Sequence, residues 1–169
     1  MIYLSRPNKG MSVIETLIYA ALLVLITAVL IGAFLPLSRI LRDLQASRNI
    51  QKSARISLER MTRDIHSASN IGGGSILNAH PGKLFLIVPQ GGVETEVEFY
   101  LQNETLVAES GGEIEGNLTS SDVSVSNLVF QVMDNGKSKL VRIEMTLERN
   151  VSGKTKTADF YGSAVTRSY

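Results

Sequence analysis

Hydrophobic and polar positions are distributed very unevenly along this chain. Residues 16–38 read TLIYAALLVLITAVLIGAFLPLS, 23 positions without a charge. As a helix rising about 1.5 Å per residue, this run spans roughly 35 Å, enough for a bilayer core of about 30 Å. Beyond it the apolar positions become sparse and periodic. Ile40, Leu44, Ser47, Gln51, Ala54, Leu58, Met61, Ile65 and Ala68 follow a 4-3 spacing, polar in the middle and apolar at the C-terminal end. The spacing predicts that the helix continues as an amphipathic arm whose upper half packs on a domain. Ser47 and Gln51 interrupt the seam that a coiled coil would need. Pro36 removes one backbone hydrogen bond and predicts a bend. Asn70 and the glycines 72–74 predict the helix end.

The period then changes to two. Residues 84–88 form a short apolar run between Pro81-Gly82 and Pro89. Residues 93–101 set Val93, Thr95, Val97, Phe99 and Leu101 against Glu94, Glu96, Glu98 and Tyr100, so one face is predicted to be core and the other acidic. Residues 105–108 read as a return strand. Residues 122–133 carry Val123, Val125, Leu128, Phe130 and Val132, and Asp134-Asn135-Gly136-Lys137 turns the chain into Val141, Ile143, Met145 and Leu147. A last strand is predicted over about 155–165. A helix followed by an antiparallel meander is an α+β arrangement. The expected organisation is a leader over 1–10, a transmembrane helix over 11–38, an amphipathic helical arm over 39–70 and a β-rich globular head over 71–169.

Composition narrows the chemistry. In 169 residues there is no Cys, which excludes a disulfide framework, thiolate zinc and a cysteine nucleophile. The net charge of +1 gives no whole-chain case for nucleic-acid binding. The charge is split: residues 39–64 hold seven basic and three acidic residues, and 65–169 hold eight basic and twelve acidic. Solvated faces account for this split as readily as an arm of one subunit packing on the head of another, or the arm touching anionic lipid. An acidic head disfavours direct contact with nucleic acid.

Catalytic signatures are absent from the sequence. The glycines 72–74 lack the preceding strand and following Lys-Ser/Thr of a phosphate loop. His66 and His80 lie fourteen residues apart without metal-ligand spacing. Asn103, Asn117 and Asn150 open three-residue glycosylation patterns that arise easily by chance. The expectation is a protein that is not an enzyme, with no cofactor and no metal.

The start of the apolar run is the most informative stretch. Arg6 and Lys9 form a short basic leader ending in Gly10, followed by Met11-Ser12-Val13-Ile14-Glu15 and then the uncharged helix. An ordinary secretory signal has an apolar region of about 7–15 residues and an A-x-A-like site, which this run does not match. A lone acid at a membrane helix end can simply face headgroups, since a charge costs about 3 kcal/mol at the bilayer centre and less at its edge. The whole string, however, resembles the class III signal of type IV pilins and type II secretion pseudopilins. Met11 stands where Phe is usual, and Ser12-Val13-Ile14 stands for the common Thr-Leu-Ile. More weakly, residues 55–65 followed by a strand-rich head look like the J-type minor pseudopilins.

The resemblance implies a pilin-like lollipop fold and a structural subunit of a type IV pilus, competence pilus or type II secretion pseudopilus. It implies that a prepilin peptidase cuts after Gly10 and N-methylates the new N-terminus at Met11. Glu15 would then meet a neighbour's N-terminal amine during assembly. The implied partners are the peptidase, other pilins or pseudopilins through the N-terminal helix, and the lipid bilayer before assembly. The positive-inside rule, counted alone, places the seven basic residues of 39–63 inside. The resemblance implies the reverse, with the leader cytoplasmic and the head extracytoplasmic. The alternative is a bitopic signal-anchored protein whose extracytoplasmic β domain binds a ligand or partner.

Overall fold

The computed structural model describes residues 12–151 and 153–166. The chain divides into two compact units, Met1–Arg42 and Asp43–Tyr169. Helix α1 (Val13–Ser67) begins in the first and ends in the second, and its backbone stays helical across Pro36. Within the first unit, Val13–Phe34 is long and apolar enough to cross a membrane, and none of it is buried by the chain itself. A helix suits that environment because it satisfies its own backbone hydrogen bonds where lipid offers none.

The second unit is α+β, as the change of period predicts. After α1 come β1 (Asn70–Ile71), β2 (Leu84–Gln90), β3 (Val93–Gln102), β4 (Thr105–Ser110), β5 (Glu113–Asn117), β6 (Ser124–Asp134), β7 (Lys139–Val151) and β8 (Lys154–Val165). Every pairing is antiparallel. The strands form two sheets, β1-β2-β3-β4-β5 and β6-β7-β8, rather than one continuous meander. β5 and β1 were not among the predicted strands. β5 alternates weakly, with Ile114 exposed between two glutamates. β1 is two residues where a helix end was expected.

The reason for that difference lies at Gly72. Helix α1 closes with the Ala68 N–H on the Ile65 carbonyl, and the Ser69 N–H already bonds the Ile87 carbonyl of β2. The Gly72 N–H then bonds the Phe85 carbonyl, and a Cβ at Gly72 would lie 1.9 Å from the Phe85 ring. Glycine is needed there for clearance under the ring, not to cap the helix.

The core joins the arm to both sheets. Leu84, Leu86, Val97, Phe99, Leu106 and Ala108 line one sheet, and Val125, Leu128, Phe130, Ile143, Met145 and Leu147 line the other, with Ile50, Ala54, Met61, Ile65 and Ala68 of α1 in the same cluster. On the arm the buried stripe is rotated by one position from the predicted one at its lower end: Ala46, Ile50, Ser53 and Ser57 are buried, whereas Gln51 is exposed and Leu58 is half-buried. The small serines sit inward because the chain entering β6 is close: Ser53 Oγ bonds the Ser120 hydroxyl at 3.3 Å and Ser57 Oγ the Leu118 carbonyl at 3.4 Å. The three-residue step from Val125 to Leu128 keeps both inside because the register slips between Val125 and Asn127, a bulge that restores the buried face. The predicted turn is held by its own side chains. Asp134 Oδ1 accepts from the Gly136 N–H at 2.7 Å, and Asn135 Oδ1 accepts from the Ser138 N–H at 2.8 Å.

Four substitutions test this packing. Met61→Ala, at a fully buried position, is expected to cost about 2–5 kcal/mol, and Leu58→Ala distinctly less. Gly82→Ala places a Cβ 2.9 Å from the Leu128 backbone carbonyl and is expected to cost about 1–3 kcal/mol. Gly162→Ala meets only the movable end of Leu58 and should cost less. Denaturant unfolding of the four variants in detergent gives the ranking.

Candidate functional site

The first turn of α1 is built by Ser12, whose carbonyl accepts from the Glu15 N–H at 3.0 Å and the Thr16 N–H at 3.1 Å. Glu15 is therefore a first-turn acid, where the unpaired N–H groups and partial positive charge of a helix N-terminus favour a carboxylate. Its spacing from Ser12, S-x-x-E, is the capping-box spacing, a signal readable in the sequence that sequence reasoning missed. One turn on, the Tyr19 hydroxyl donates to Glu15 Oε1 at 3.3 Å. Tyr19 is a partner that sequence reasoning missed, although its position four residues after Glu15 puts both on one helix face. Among the described residues no ion pair reaches Glu15. Its carboxylate keeps acceptor capacity beyond the one long bond from Tyr19. Gly10 and Met11 lie outside the described residues.

Around that turn most of the surface is apolar. Ile14, Leu17, Ile18, Leu22 and Leu25 are all about half or more exposed. An acceptor at the end of a mostly apolar cylinder can do two things chemically. It can take water or headgroup donors at an interface, or it can accept a cation brought by another chain.

On the second unit several charges are organised into pairs. Arg60 Nε bonds Asp64 at 2.6 Å and its Nη2 reaches Glu115 of β5 at 2.6 Å. Partial burial lowers the pKa of that guanidinium, but the two carboxylates outweigh it and hold the group above its ordinary value. Arg149 bonds Asp122 at 2.8 Å, and Asn49 donates to the same carboxylate at 2.9 Å. The acidic outer face predicted for β3 is present: Glu98 lies directly across from Glu109 of β4. Like charges in that position repel. Lys83 pairs with Glu98, and the Tyr100 hydroxyl donates to Glu109 at 2.9 Å, which offsets the repulsion.

The histidines are used separately. His66 Nδ1 lies 2.9 Å from the Val165 carbonyl of β8 and therefore carries the hydrogen, whereas His80 Nδ1 accepts from the Leu128 N–H at 3.0 Å. Among the described residues no group of three or more His, Asp or Glu side chains is arranged to hold a metal. Compared with protein-family models, curated proteins and solved structures, the chain matches none.

Tyr100 gives a testable consequence. Its hydrogen bond to Glu109, with smaller contributions from burial and the charges of Glu109 and Glu98, pushes the phenol above its ordinary value. A raised folded-state value favours the neutral phenol, so this contribution to stability is fully present below about pH 10 and is lost as the pH rises above it. Ultraviolet titration should show a late-titrating tyrosine that Tyr100→Phe removes, and the variant should lose the corresponding alkaline dependence of stability.

Proposed function

We propose that this chain is a structural subunit of a filament of the type IV pilus, competence pilus or type II secretion pseudopilus kind, a minor pilin or pseudopilin. The observation that carries the proposal is the first turn: a single acid, Glu15, opens a helix that its own chain leaves uncovered through Phe34. On this reading residues 1–10 are a leader, prepilin peptidase cuts between Gly10 and Met11, and the Met11 amine is methylated. The role is assembly, and no catalytic residue is assigned. The protein sits first in the bacterial cytoplasmic membrane with its leader cytoplasmic and its head extracytoplasmic, and then in the filament.

Physical chemistry supports the pairing assigned to Glu15. Cleavage would create an ammonium next to the positive end of a helix, an unfavourable place for it. A carboxylate from a neighbouring helix relieves that cost, and in low dielectric either charge left alone is expensive. Because each partner needs the other, the pair sets the axial register of adjacent helices. An antiparallel α+β head held by the arm of the same helix is compatible with this architecture. The second reading, a bitopic anchored domain, is favoured by the Tyr19 bond, which gives Glu15 a donor within its own chain.

Glu15→Leu separates the readings. Removing the carboxylate eases insertion, so membrane levels and cleavage should be unchanged while incorporation into filaments and helix-to-helix crosslinking fall. Wild-type crosslinking of Glu15→Leu, with cleavage also unchanged, contradicts the assembly role.

A further inference from the structure

The two sheets have four outer strands, β1, β5, β6 and β8. β1 is only two residues long. The edge of β6 is occupied: its Phe130 and Leu128 carbonyls accept from the Asn78 and Gly82 N–H groups, and its Leu128 N–H donates to His80. β8 is twelve residues long and is paired on one side, with β7. The Thr166 N–H bonds the Lys139 carbonyl, so by alternation the backbone groups of Val165, Ser163, Tyr161 and Asp159 point away from β7. The arm covers one of them, where His66 meets the Val165 carbonyl. Beside the rest runs a groove of about 910 Å³ between α1 and β8, floored by Ala54, Leu58 and Phe160 and rimmed by Arg55 and Arg63.

Charge distinguishes the two open edges. β8 carries Lys154 and Lys156 against Asp159, and the arm of α1 carries Arg48, Lys52, Arg55 and Arg63 against Glu59. β5 reads Glu-Ile-Glu-Gly-Asn, without a cation, and Ile114 on it is 55% exposed. Like charges oppose pairing of β8 with β8 and of β5 with β5, the usual protection of an open edge. The same charges favour β8 with β5. Five residues of strand extend about 17 Å, and the groove wall from Phe160 to Ser163, four residues or about 13 Å, takes most of that length.

We infer that the heads of two copies of this chain associate by strand addition, β5 of one copy entering the groove along the β8 edge of the next, with Ile114 against the apolar floor and Glu113 facing Arg55 and Arg63. The contact joins two different surfaces, β5 of one copy and β8 of the other. It goes beyond the function proposed above and does not depend on cleavage or on Glu15.

The chain has no native cysteine, so introduced thiols report cleanly. Two differently tagged full-length populations, Ser163→Cys and Ile114→Cys, are mixed in detergent and treated with a short bis-maleimide. The mixed adduct should exceed either like adduct by about tenfold. Arg55→Glu with Arg63→Glu in the first population should abolish that excess, and Glu113→Arg in the second should restore it. A Ser163 adduct with itself that equals or exceeds the mixed one, no mixed excess, or no rescue by the swapped charge overturns the inference. On the unaltered chain, the outward amides of Tyr161 and Ser163 should exchange more slowly as the chain is concentrated. Exchange independent of concentration overturns it equally. A null result in either arm leaves the leader and Glu15 reading untouched, because uncleaved protein serves as well as cleaved protein.

Discussion

Fourteen large apolar side chains between Val13 and Phe34 are 49–78% exposed, and what must cover them is the constraint on which the reading of the chain depends. Fully burying one such side chain is worth about 1.5–3 kcal/mol, so covering what remains open on all of them is worth on the order of 10–20 kcal/mol. That sum is as large as the whole folding stability of an ordinary domain, about 5–15 kcal/mol. Such a surface is costly to leave in water, and the segment is long and apolar enough to cross a bilayer. One acid at the entrance to such a surface gains importance from the same constraint. The positive end of the helix favours a carboxylate in its first turn, and Tyr19 gives Glu15 one donor.

The arm answers to a different constraint. From Ala46 onward the helix presents one face to both sheets, and neither sheet closes its core without it: Met61 and Ile65 are fully buried in the same cluster as Phe99 and Phe130. Polar ties fix the arm along its length. Lys156 and Arg149 donate to the carbonyls of Asp43 and Gln45 near its base, and His66 meets Val165 near its top. The arm thus runs alongside β8 while its opposite flank serves Leu118, Ser120 and Asp122. This placement keeps β8 an outer strand, and it brings basic residues of the arm beside an open edge.

Much of this is legible in the sequence. Strict alternation in β3 and β7 and the Asp-Asn-Gly turn located strands and a hairpin correctly, because a half-buried strand leaves a period-two record. β5 left none: with glutamates on either side of an exposed isoleucine, it is a strand because β4 offers an edge. The split into two sheets was equally unreadable, since it depends on where the loop over residues 78–82 bonds β6. The arm's lower stripe was misread by one position because Ser53 and Ser57 are buried for their hydrogen bonds, and a search for apolar residues passes over them. At the first turn the acid was visible, while its capping spacing to Ser12 and its bond from Tyr19 went unread in a search for chemistry between chains.

On the proposed function the apolar helix begins a mature chain, and Glu15 stands one turn from its new amine. Intact mass of the protein extracted from membranes of cells holding a prepilin peptidase decides this. The expected chain starts at Met11 and carries one added methyl group. A mass that retains residues 1–10 in those cells contradicts it and leaves the first turn as the start of a permanent membrane anchor.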